Sequence, residues 1–407
     1  MVAYKIPPNI IVKEVDMRRV AIVGGGHTDF VFNSPKTGIE LFAEAAMEAI
    51  YESNLKPKNI QAIYCGNGLG DFSEGQIMIQ SYIANDIGCL NVPATRFEGA
   101  CASATLAIRD AAMWVASGKY DIVLVGGTEK ATAMGTPLAT RTFAMAHDSR
   151  YESPTGLTFP GYFAMLAHLY SSKHNIPLAK LKEQMAMVSV QSHEYGAKNP
   201  HAQFRKEITV EKVLSGFMVA SPLQLLDCCP FSDGAAALVL ASEDVAKKLT
   251  DKPVYIVGTG QASSGRMSSQ YKYLPRIRAR ELSVKQAYDM AGVGPEDIDV
   301  CELHDCFSIA SIIAAECLGF ADYGTAGYLW EKGETRIGGK IPINISGGLK
   351  SKGHPIGATG ASQTYDIVKQ LRGELVDQGR QVEGAKVGLV DTLGGDGVIC
   401  NLILKVD

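Results

Sequence analysis

The sequence lacks the features that mark several classes of protein. It contains no Cys-x-x-Cys pair, which argues against a structural zinc site, and we expect no bound metal. No uncharged apolar run is long enough to span a bilayer. The amino terminus also lacks the charged, apolar and small-residue order of a signal peptide. These absences predict a cytoplasmic protein with no membrane partner.

A large excess of charge of one sign is missing as well. The chain has 39 Lys and Arg against 43 Asp and Glu, so no basic field favours nucleic acid or anionic lipid as a partner. Its nine cysteines follow no regular spacing, which argues against a disulfide framework and for a reducing compartment. Most of these thiols are interpreted as small buried hydrophobic residues, whereas Cys101 and Cys306 need a separate explanation.

What the sequence does contain is an alternation of apolar β-branched runs with amphipathic stretches, which is typical of an α/β fold. Residues 130–220 have more Met, His, Tyr and Pro, and we interpret them as an inserted domain that covers one face of the sheet. The predicted strands are 18–26, 60–66, 93–98, 121–127 and 234–242, and the predicted helices are 38–54, 75–87 and 102–117.

The second half of the chain repeats the first. VYIVGTG at 254–260 matches VAIVGGG at 20–26, and GPEDIDVCEL at 294–303 matches KPKNIQAIYC at 56–65. Two ordered matches at nearly the same offset indicate an internal duplication. The predicted units are a first half (1–129 with 221–250), the inserted domain (130–220) and a second half (251–407).

The duplication makes a positional prediction about Cys101 and His354. Cys101 opens the helix after the third strand of the first half, and His354 precedes the helix after the counterpart strand, 341–345. If the halves pack about a pseudo-twofold axis, these side chains face each other. His304 and Cys306 end the neighbouring strand and should point the same way, because ligands of open α/β sheets gather beyond the strand carboxyl ends.

Cys101 has the surroundings of a nucleophile. Small residues flank it in GACASA, which lets a substrate reach the sulfur. A position at a helix start is expected to lower the thiol pKa through the positive end of the macrodipole, and the thiolate is the form that attacks. A buried cysteine that packs in an alanine-rich helix is the alternative that this stretch leaves open.

His354 lies in GGLKSKGHPIGATG, where Gly, Ala and Pro build a backbone that turns tightly and lets a ligand come close. Its imidazole is a candidate to accept the Cys101 proton and later to donate to an oxyanion. A phosphate loop is the alternative, although the Gly-x-x-x-x-Gly-Lys-Ser/Thr order is missing. A further glycine turn, DTLGGDG at 391–397, offers backbone N–H groups for an oxyanion pocket.

Five blocks of the sequence resemble the thiolases. The resemblance is closest to archaeal acetyl-CoA acetyltransferases and to thiolases related to sterol carrier protein. It implies the thiolase fold, with two βαβαβαββ halves in a layered αβαβα arrangement, a covering loop domain, and a homodimer or homotetramer. The blocks are EGACASA, FSDGAAALVL, ELHDCFS, GGLKSKGHPIGATG and DTLGGDG.

The resemblance also implies residue roles. Cys101 matches the nucleophile and His354 the histidine that activates it, while His304 stands where most thiolases have an Asn that helps bind the enolate oxygen. Thr392 replaces the usual second cysteine, a departure from the family, and Cys306 offers a replacement thiol as acid and base. Backbone N–H groups of Cys101 and Gly394 are expected to hold the tetrahedral oxyanion.

The implied reaction condenses two acetyl-CoA molecules to acetoacetyl-CoA and CoA through an acetyl-cysteine, with no cofactor beyond the substrate. The alternatives are a ketoacyl synthase, a 3-hydroxy-3-methylglutaryl-CoA synthase, and a catalytically silent scaffold or lipid-transfer partner.

CoA is expected in the loop domain with Ser221 as a contact. Arg141, Lys180 and Lys182 are candidates for its phosphates, although ordinary solvated charges are the favoured explanation of these residues.

The archaeal resemblance implies a place in the mevalonate route to isoprenoids. It also implies association with 3-hydroxy-3-methylglutaryl-CoA synthase through a small protein with a zinc ribbon and an OB-fold. A free homotetramer that relies on mass action is the alternative.

Overall fold

The computed structural model describes residues 17–395 and 397–407. The segment on which the signal-peptide prediction rests lies mostly outside these residues, as does Asp396 of the DTLGGDG block. Within the described part of the chain, no helix is both long enough and apolar enough to cross a membrane.

The first half follows the predicted alternation of strand and helix. Its first long helix begins after Thr37, whose side-chain oxygen accepts a hydrogen bond from the Glu40 N–H, while the Glu40 carboxylate accepts one from the Thr37 N–H. The elements up to residue 130 are β1 (Val20–His27), α1 (Gly38–Glu52), β2 (Ile63–Gly66), α2 (Gly70–Ser73), α3 (Ile79–Asp86), β3 (Ala94–Phe97), α4 (Ser103–Ala116) and β4 (Ile122–Lys130).

The segment after β4 is mostly helical, as expected of a covering domain, and its two longest helices pack on the second half of the chain. The exact domain boundaries remain a prediction. The elements here are α5 (Gly135–Phe143), α6 (Phe159–His174), α7 (Leu178–Gly196), α8 (Val210–Leu214), β5 (Met218–Ala220) and β6 (Leu223–Gln224).

The chain then completes the first half and builds the second. The elements are β7 (Asp233–Ser242), α9 (Glu243–Leu249), β8 (Val254–Ser263), α10 (Arg278–Ala291), β9 (Val300–Glu302), α11 (Ser308–Cys317), α12 (Gly327–Glu331), α13 (Thr359–Arg372), β10 (Val387–Gly394) and β11 (Val398–Lys405).

The order of the strands confirms the duplication. The sheet runs β3-β2-β4-β7-β1-β8-β11-β10-β9, so that β1, β7, β4 and β2 of the first half mirror β8, β11, β10 and β9 of the second about the β1–β8 junction. β2 lies parallel to β3 and β4, and β9 lies parallel to β10. The carboxyl ends of β2, β3 and β4 therefore lie together in the first half, and those of β9 and β10 lie together in the second half, as parallel pairing requires.

The predicted strand at 341–345 is wrong as a regular element, because this segment makes only an isolated bridge between Cys301 and Ile343. Asn344 explains the interruption. It has a φ of 53°, which no strand tolerates, and its side-chain amide accepts from the Leu303 N–H and donates to the Leu303 carbonyl in place of backbone partners.

Two helices form the middle layer between the halves. α4 packs on β2 and β4 and also contacts β11, while α13 packs on β9 and β10 and also contacts β7. Their apolar faces share one core with both parts of the sheet, and α1 and α10 cover the outer faces. The turns that lead into α4 and α13 contact each other, so the amino-terminal ends of these two helices meet.

Candidate active site

Cys101 lies in a single 3₁₀ turn, Ala100–Ala102, that leads directly into α4. The Ser103 hydroxyl holds this turn, because it accepts from the Gly99 N–H at 3.0 Å and donates to the Ala100 carbonyl at 2.6 Å. Ala100 has a φ of 48°, a left-handed conformation that costs an L-residue about 1 to 2 kcal/mol. Backbone strain of this kind persists where function requires a fixed geometry.

His354 meets Cys101 across the pseudo-twofold axis. Its Nε2 lies 3.2 Å from the Cys101 sulfur, and its Nδ1 lies 2.7 Å from the Thr359 hydroxyl oxygen. The Thr359 hydroxyl has one hydrogen, which it donates to the Pro355 carbonyl at 3.0 Å, so it accepts from Nδ1–H. This assigns the proton of the neutral ring to Nδ1 and leaves Nε2 as the bare base that faces the thiol.

Sequence reasoning missed Thr359 and Ser232. The Ser232 hydroxyl accepts a 2.8 Å hydrogen bond from the His354 N–H, and Gly353, with a φ of 117°, brings the backbone into that position. Both residues lie inside quoted family blocks, GHPIGATG and FSDGAAALVL, which was the available signal. The sequence of these blocks alone does not show which atoms of His354 are oriented by Thr359 and Ser232.

The resting pair is a neutral thiol beside a neutral imidazole. Burial raises the pKa of the Cys101 thiol well above its usual range, although the N–H groups of Gly395 and of Cys101 itself favour the thiolate. The expectation that the helix start lowers this pKa is therefore wrong, because dehydration outweighs the backbone dipoles. Burial also lowers the pKa of His354 to about 4, opposed by the Asp305 carboxylate. Proton transfer to His354 must accompany attack by the sulfur.

His304 and His354 lie side by side, with ring centroids 5.2 Å apart and an interplanar angle of 74°. Nδ1 of His304 is buried and has no hydrogen-bond partner among the described residues. Burial and the nearby His354, Arg280 and Lys350 lower the pKa of His304 well below its usual value. The ring is therefore neutral, and its Nδ1 is a buried polar atom whose hydrogen-bonding capacity the described residues do not satisfy.

Cys306 is buried near two other thiols, those of Cys229 and Cys101, and both influence its ionisation. Burial raises its pKa well above the usual range, and Cys229 and Cys101 add to this effect. The Cys306 carbonyl accepts a 2.9 Å hydrogen bond from the Cys229 N–H, which ties the segment around Cys228 to the HDCF segment. Cys229 was not singled out from the sequence, since two adjacent cysteines carry no spacing signal.

A buried ion pair joins the segments that carry the histidines. Lys350 Nζ lies 2.6 Å from the Asp305 carboxylate, and the other carboxylate oxygen accepts from the Leu349 N–H at 2.7 Å. Asp305 stands between His304 and Cys306, while Lys350 precedes His354 by one turn. Both charges are almost fully buried, so removal of either would leave the other uncompensated.

A second buried pair supports His304 from behind. The Arg280 guanidinium donates to Asp391 at 2.9 Å, and the other oxygen of Asp391 accepts from the His304 N–H at 3.3 Å. The two terminal nitrogens of Arg280 have no hydrogen-bond partner in the described part of the chain. This buried cation helps to keep His304 neutral.

One of the two backbone donors at the sulfur differs from the predicted pair. The N–H groups that favour the Cys101 thiolate are those of Cys101, as predicted, and of Gly395 in place of Gly394. Gly394 instead packs against the nucleophile turn, where a Cβ would stand 1.9 Å from the Gly99 carbonyl oxygen. The role of Gly394 in an oxyanion pocket remains a prediction.

Thr392 takes no part in the site. Its hydroxyl is fully buried and donates to the Cys400 carbonyl at 3.0 Å across the β10–β11 ladder. The side chain that follows, Leu393, reaches the cavity instead. Because Thr392 stands where most thiolases have the second cysteine, its side chain supplies no acid or base to the site.

A cavity of about 380 Å³ opens onto the four predicted side chains. We call it the histidine-side cavity. The exposed side chains of Val219 and Leu225 line it, and its walls are strongly apolar. It is lined by Cys101, His304, Cys306 and His354, by Cys228 and Cys229, and by Phe143, Phe159, Phe163, Phe231 and Phe307.

The predicted CoA contacts are not brought to this cavity. Ser221 is exposed and its carbonyl lies 3.1 Å from His168 Nε2. Arg141 is exposed, and Lys180 pairs with Glu331 at 2.8 Å. Binding of CoA by Ser221, Arg141, Lys180 or Lys182 remains a prediction.

Three side chains of the site also form a candidate ligand set for a metal ion. Ligand atoms of Cys101, His304 and His354 lie within 4.8 Å of one another, which suits a soft divalent ion such as Zn²⁺. The orientation of His354 by Thr359 and its short contact with the thiol suit proton transfer equally well. The same atoms therefore suit either a proton relay or a bound ion.

Comparison with known proteins decides the family. A sequence model of the thiolase N-terminal domain matches residues 20–244, and a thiolase C-terminal domain-like model matches residues 260–400. The chain belongs to the thiolase family. This thiolase is accordingly an acyltransferase, and its predicted fold is confirmed.

Three relatives illustrate the likeness. An acetyl-CoA acetyltransferase of Methanothermobacter thermautotrophicus is 44% identical, with 94% of this chain and 97% of that protein covered. Sterol carrier protein 2 of Bos taurus is 32% identical, with coverage of 95% and 72%. A solved Ltp2-ChsH2(DUF35) aldolase superposes with a TM-score of 0.82 at 28% identity, with coverage of 96% and 98%.

Proposed function

We propose that this thiolase condenses two acetyl-CoA molecules to acetoacetyl-CoA and free CoA, as an acetyl-CoA C-acetyltransferase. The observation that carries the proposal is the 3.2 Å contact between the bare Nε2 of His354 and the Cys101 sulfur, because it joins a base to a nucleophile. The name of the archaeal relative supports acetyl-CoA as the substrate.

Acylation follows from this pair. The Cys101 thiol passes its proton to His354 Nε2 as the sulfur attacks the thioester carbon of acetyl-CoA. The resulting oxyanion is stabilised by the N–H groups of Cys101 and Gly395. The N–H of Gly394, which the sequence predicts as a donor, is a further candidate for this role. His354 then returns the proton to the departing CoA sulfur, which leaves an acetyl thioester on Cys101.

Carbon–carbon bond formation uses the remaining side chains. In the thiolysis direction, Cys101 attacks the ketone of acetoacetyl-CoA and the carbanion that leaves takes the proton of the Cys306 thiol. The raised pKa of Cys306 supports a protonated sulfur at rest. By microscopic reversibility, condensation starts with the Cys306 proton on His354 Nε2. The Cys306 thiolate is then the base, while His304 and the protonated His354 donate to the enolate oxygen.

The experiment is a pair of measurements on the purified chain. Acetyl-CoA should add the mass of one acetyl group, and acetoacetyl-CoA with free CoA should be converted to acetyl-CoA. An unmodified protein that also leaves acetoacetyl-CoA intact would contradict the proposal. A different result would favour a 3-hydroxy-3-methylglutaryl-CoA synthase: acetylation of the enzyme, followed by attack of that acetyl group on the ketone carbon of added acetoacetyl-CoA.

We also propose that the reaction needs no resident metal. The proton relay from Cys101 to His354 is complete without one, since Thr359 already fixes the tautomer. Prolonged treatment with EDTA should leave the rate unchanged, whereas added Zn²⁺ should inhibit by binding the Cys101, His304 and His354 donors. Loss of activity on chelation, with recovery on metal addition, would contradict this.

A homodimer or homotetramer is part of the proposal. β3 ends the sheet, so one edge of it has no strand partner among the described residues. Large apolar side chains around it are exposed, including Phe72, Tyr82 and Leu90. Sedimentation velocity tests this, and a monomer at micromolar concentration would contradict it.

We further propose that the enzyme works in the cytoplasm and supplies acetoacetyl-CoA to the mevalonate route. Condensation of two acetyl-CoA molecules is uphill, so a following step must consume the product. The two-component name of the related Ltp2-ChsH2(DUF35) aldolase is in keeping with an assembled enzyme. Co-expression with a 3-hydroxy-3-methylglutaryl-CoA synthase and a small zinc-ribbon and OB-fold protein should give one shared species. Separate elution would contradict the complex and leave the thiolase activity intact.

A further inference from the structure

Glu129 carries a buried carboxylate that the proposed mechanism does not use. It lies near the end of β4, and its side chain is fully buried. The cation that favours its ionised form, Arg96, pairs instead with Asp71 at 2.7 Å. Removal of a carboxylate from water is costly unless other hydrogen bonds replace those of water, so the hydrogen bonds of this carboxylate indicate its role.

Both oxygens of the carboxylate accept hydrogen bonds from N–H groups. Oε1 accepts from the Asn67 amide at 3.0 Å and from the Leu69 N–H at 3.1 Å. Oε2 accepts from the Gly68 N–H at 2.9 Å and from the Gly357 N–H at 3.1 Å. The first three donors belong to the turn after β2, whereas Gly357 belongs to the loop of His354. The carboxylate therefore joins a turn of the first half to a loop of the second half.

The turn after β2 lies directly against the nucleophile turn. A Cβ at Gly68 would stand 3.3 Å from Oε2 of Glu129 and 3.8 Å from Cα of Ala100. Ala100 immediately precedes Cys101 and has the left-handed φ of 48°. The hydrogen bond between Gly68 and Glu129 therefore holds the backbone against which the residue before the nucleophile packs.

The loop of His354 approaches β4 even more closely. A Cβ at Gly357 would stand 2.4 Å from the Thr128 carbonyl oxygen, so only glycine allows this approach. Thr359, which orients the His354 ring, follows Gly357 by two residues. The hydrogen bond from the Gly357 N–H to the carboxylate therefore holds the segment that places the base.

We propose that Glu129 is a positioning residue that sets the contact between Cys101 and His354, because it fastens the supports of both to β4. The inference rests on the proposed function, since it takes these two side chains as the pair that is acylated and accepts the proton. Glu129 acts through backbone N–H groups and not on the reacting atoms. A misplacement of about 1 Å between reacting groups lowers a rate by a factor on the order of 10², so we expect an effect on the rate of acylation and not on the affinity for acetyl-CoA.

Glu129→Gln tests this role. The glutamine amide keeps one oxygen, but its NH₂ group then faces two N–H donors on the other side. In either orientation of the amide, the turn after β2 loses acceptors. The variant therefore loosens the support of the nucleophile turn while it keeps the size and shape of the side chain.

Glu316→Gln is the matched control. Glu316 is also buried, and one of its oxygens accepts from three backbone N–H groups, those of Gly324, Thr325 and Ala326. A glutamine there can keep all three hydrogen bonds on its one oxygen. Glu316 lies near the carboxyl-terminal end of α11, at the other end of that helix from the HDCF segment.

The first measurement separates rate from affinity. Acetylation is followed by rapid quench and intact mass over a range of acetyl-CoA concentrations. The pH is 8, because burial raises the pKa of Glu129 to about 7 and the carboxylate must be ionised. Glu129→Gln should lower the limiting rate of acetylation at least tenfold, with the apparent Kd for acetyl-CoA changed less than threefold. Glu316→Gln should keep both values within threefold of the parent.

The second measurement needs no acyl-CoA. Iodoacetamide reacts with thiolates, so the base at Cys101 should assist its alkylation. Cys229 lines the same cavity and serves as the internal reference. In Glu129→Gln, the ratio of Cys101 to Cys229 alkylation, measured by peptide mass, should fall at least tenfold.

Glu129→Asp covers the case in which Glu129→Gln does not fold. Aspartate keeps the charge but withdraws the carboxylate by one methylene group, so it does not reach both loops. Its limiting rate of acetylation should also fall at least tenfold. Circular dichroism and urea unfolding show whether each variant is folded under the assay conditions. Failure of both variants to fold would assign Glu129 to the stability of the fold and overturn the inference.

The remaining outcomes separate the two proposals. A loss of limiting rate below tenfold in folded Glu129→Gln or Glu129→Asp overturns the inference and leaves the proposed function in place. An equal loss in Glu316→Gln, or a loss that lies in the Kd, does the same. Absence of acetylation in the parent overturns the proposed function itself, and the alkylation ratio then still decides whether Glu129 positions Cys101 and His354.

Discussion

The turns that follow β2 and β9 occupy equivalent places in the two halves and carry opposite kinds of side chain. After β2, the Asn67 amide donates to the Thr128 carbonyl and to Glu129, and its oxygen accepts from the Gly70 N–H. After β9, His304 keeps Nδ1 buried without a partner among the described residues. A satisfied amide holds a loop together, whereas an unsatisfied imidazole is available to a substrate.

The scaffold around these turns is nevertheless the same. Glu129, near the end of β4, accepts from the N–H groups of Gly68 and Leu69, as Asp391 in β10 accepts from the His304 N–H. Glu129 also accepts from the Gly357 N–H of the His354 loop at 3.1 Å. The first half thus contributes the nucleophile and much of the support, and the second half contributes the proton-handling groups.

Cys101→Ala tests the nucleophile and should have the largest effect. Covalent acetylation should be lost, because the sulfur that faces the bare His354 nitrogen is gone. Intact mass after incubation with acetyl-CoA measures this. Cys229→Ala removes another thiol of the same cavity and should still gain one acetyl group. Acetylation that survives in Cys101→Ala would place the nucleophile elsewhere.

Cys306→Ala should separate the two half-reactions. Acetylation needs only Cys101 and His354, so it should survive, while condensation and exchange of the substrate α-hydrogens should fall by a factor on the order of 10² or more. Exchange is followed by NMR in D₂O, with Cys229→Ala as the control that retains Cys306. Exchange at the parental rate would assign the base to another group, which the bonded Thr392 hydroxyl is poorly placed to supply.

His304→Ala and Asn67→Ala test the contrast between the turns directly. His304→Ala should slow condensation by roughly 10² to 10³, the usual loss for one oxyanion donor, with little change in stability. Asn67→Ala should instead lower the free energy of unfolding by about 1 to 3 kcal/mol, because it leaves buried partners unsatisfied. Condensation rates and urea unfolding measure both. A similar loss of rate in both variants would remove the distinction.

The pH dependence of stability should show the smallest effect. An unfolded His354 takes a proton near its ordinary pKa of about 6.5, whereas burial in the folded state lowers the pKa to about 4. Between these values the unfolded state binds more protons, so stability present above pH 6.5 is lost as the pH falls toward 4, by up to about 1.4 kcal/mol per pH unit.

Urea unfolding at pH 7.0 and 5.5 measures this, and His354→Asn serves as the control. The variant should lose less stability than the parent over the same interval, since it lacks the group that titrates. An equal loss in both proteins would assign the effect to other buried histidines, such as His27, whose pKa burial also lowers well below the usual value.

Much of this arrangement was determined by the sequence alone. The alternation of strands and helices and the repeat of β1 and β2 in β8 and β9 are patterns along the chain, so they could be predicted without contacts. The duplication then put Cys101 and His354 in counterpart loops, and the family blocks pointed to His304 and Cys306. These statements need only local periodicity and order.

Only the tertiary structure decided the chemistry of those groups. The tautomer of His354 depends on Thr359 and Pro355 together, the direction of the Cys101 pKa shift on how completely the folded chain excludes water, and the interrupted strand at 341–345 on the bonds of Asn344 to Leu303. A cavity of about 570 Å³ beside Cys101 is lined by segments from both halves of the chain. Burial and shape arise when distant segments pack, and no single stretch of sequence encodes them.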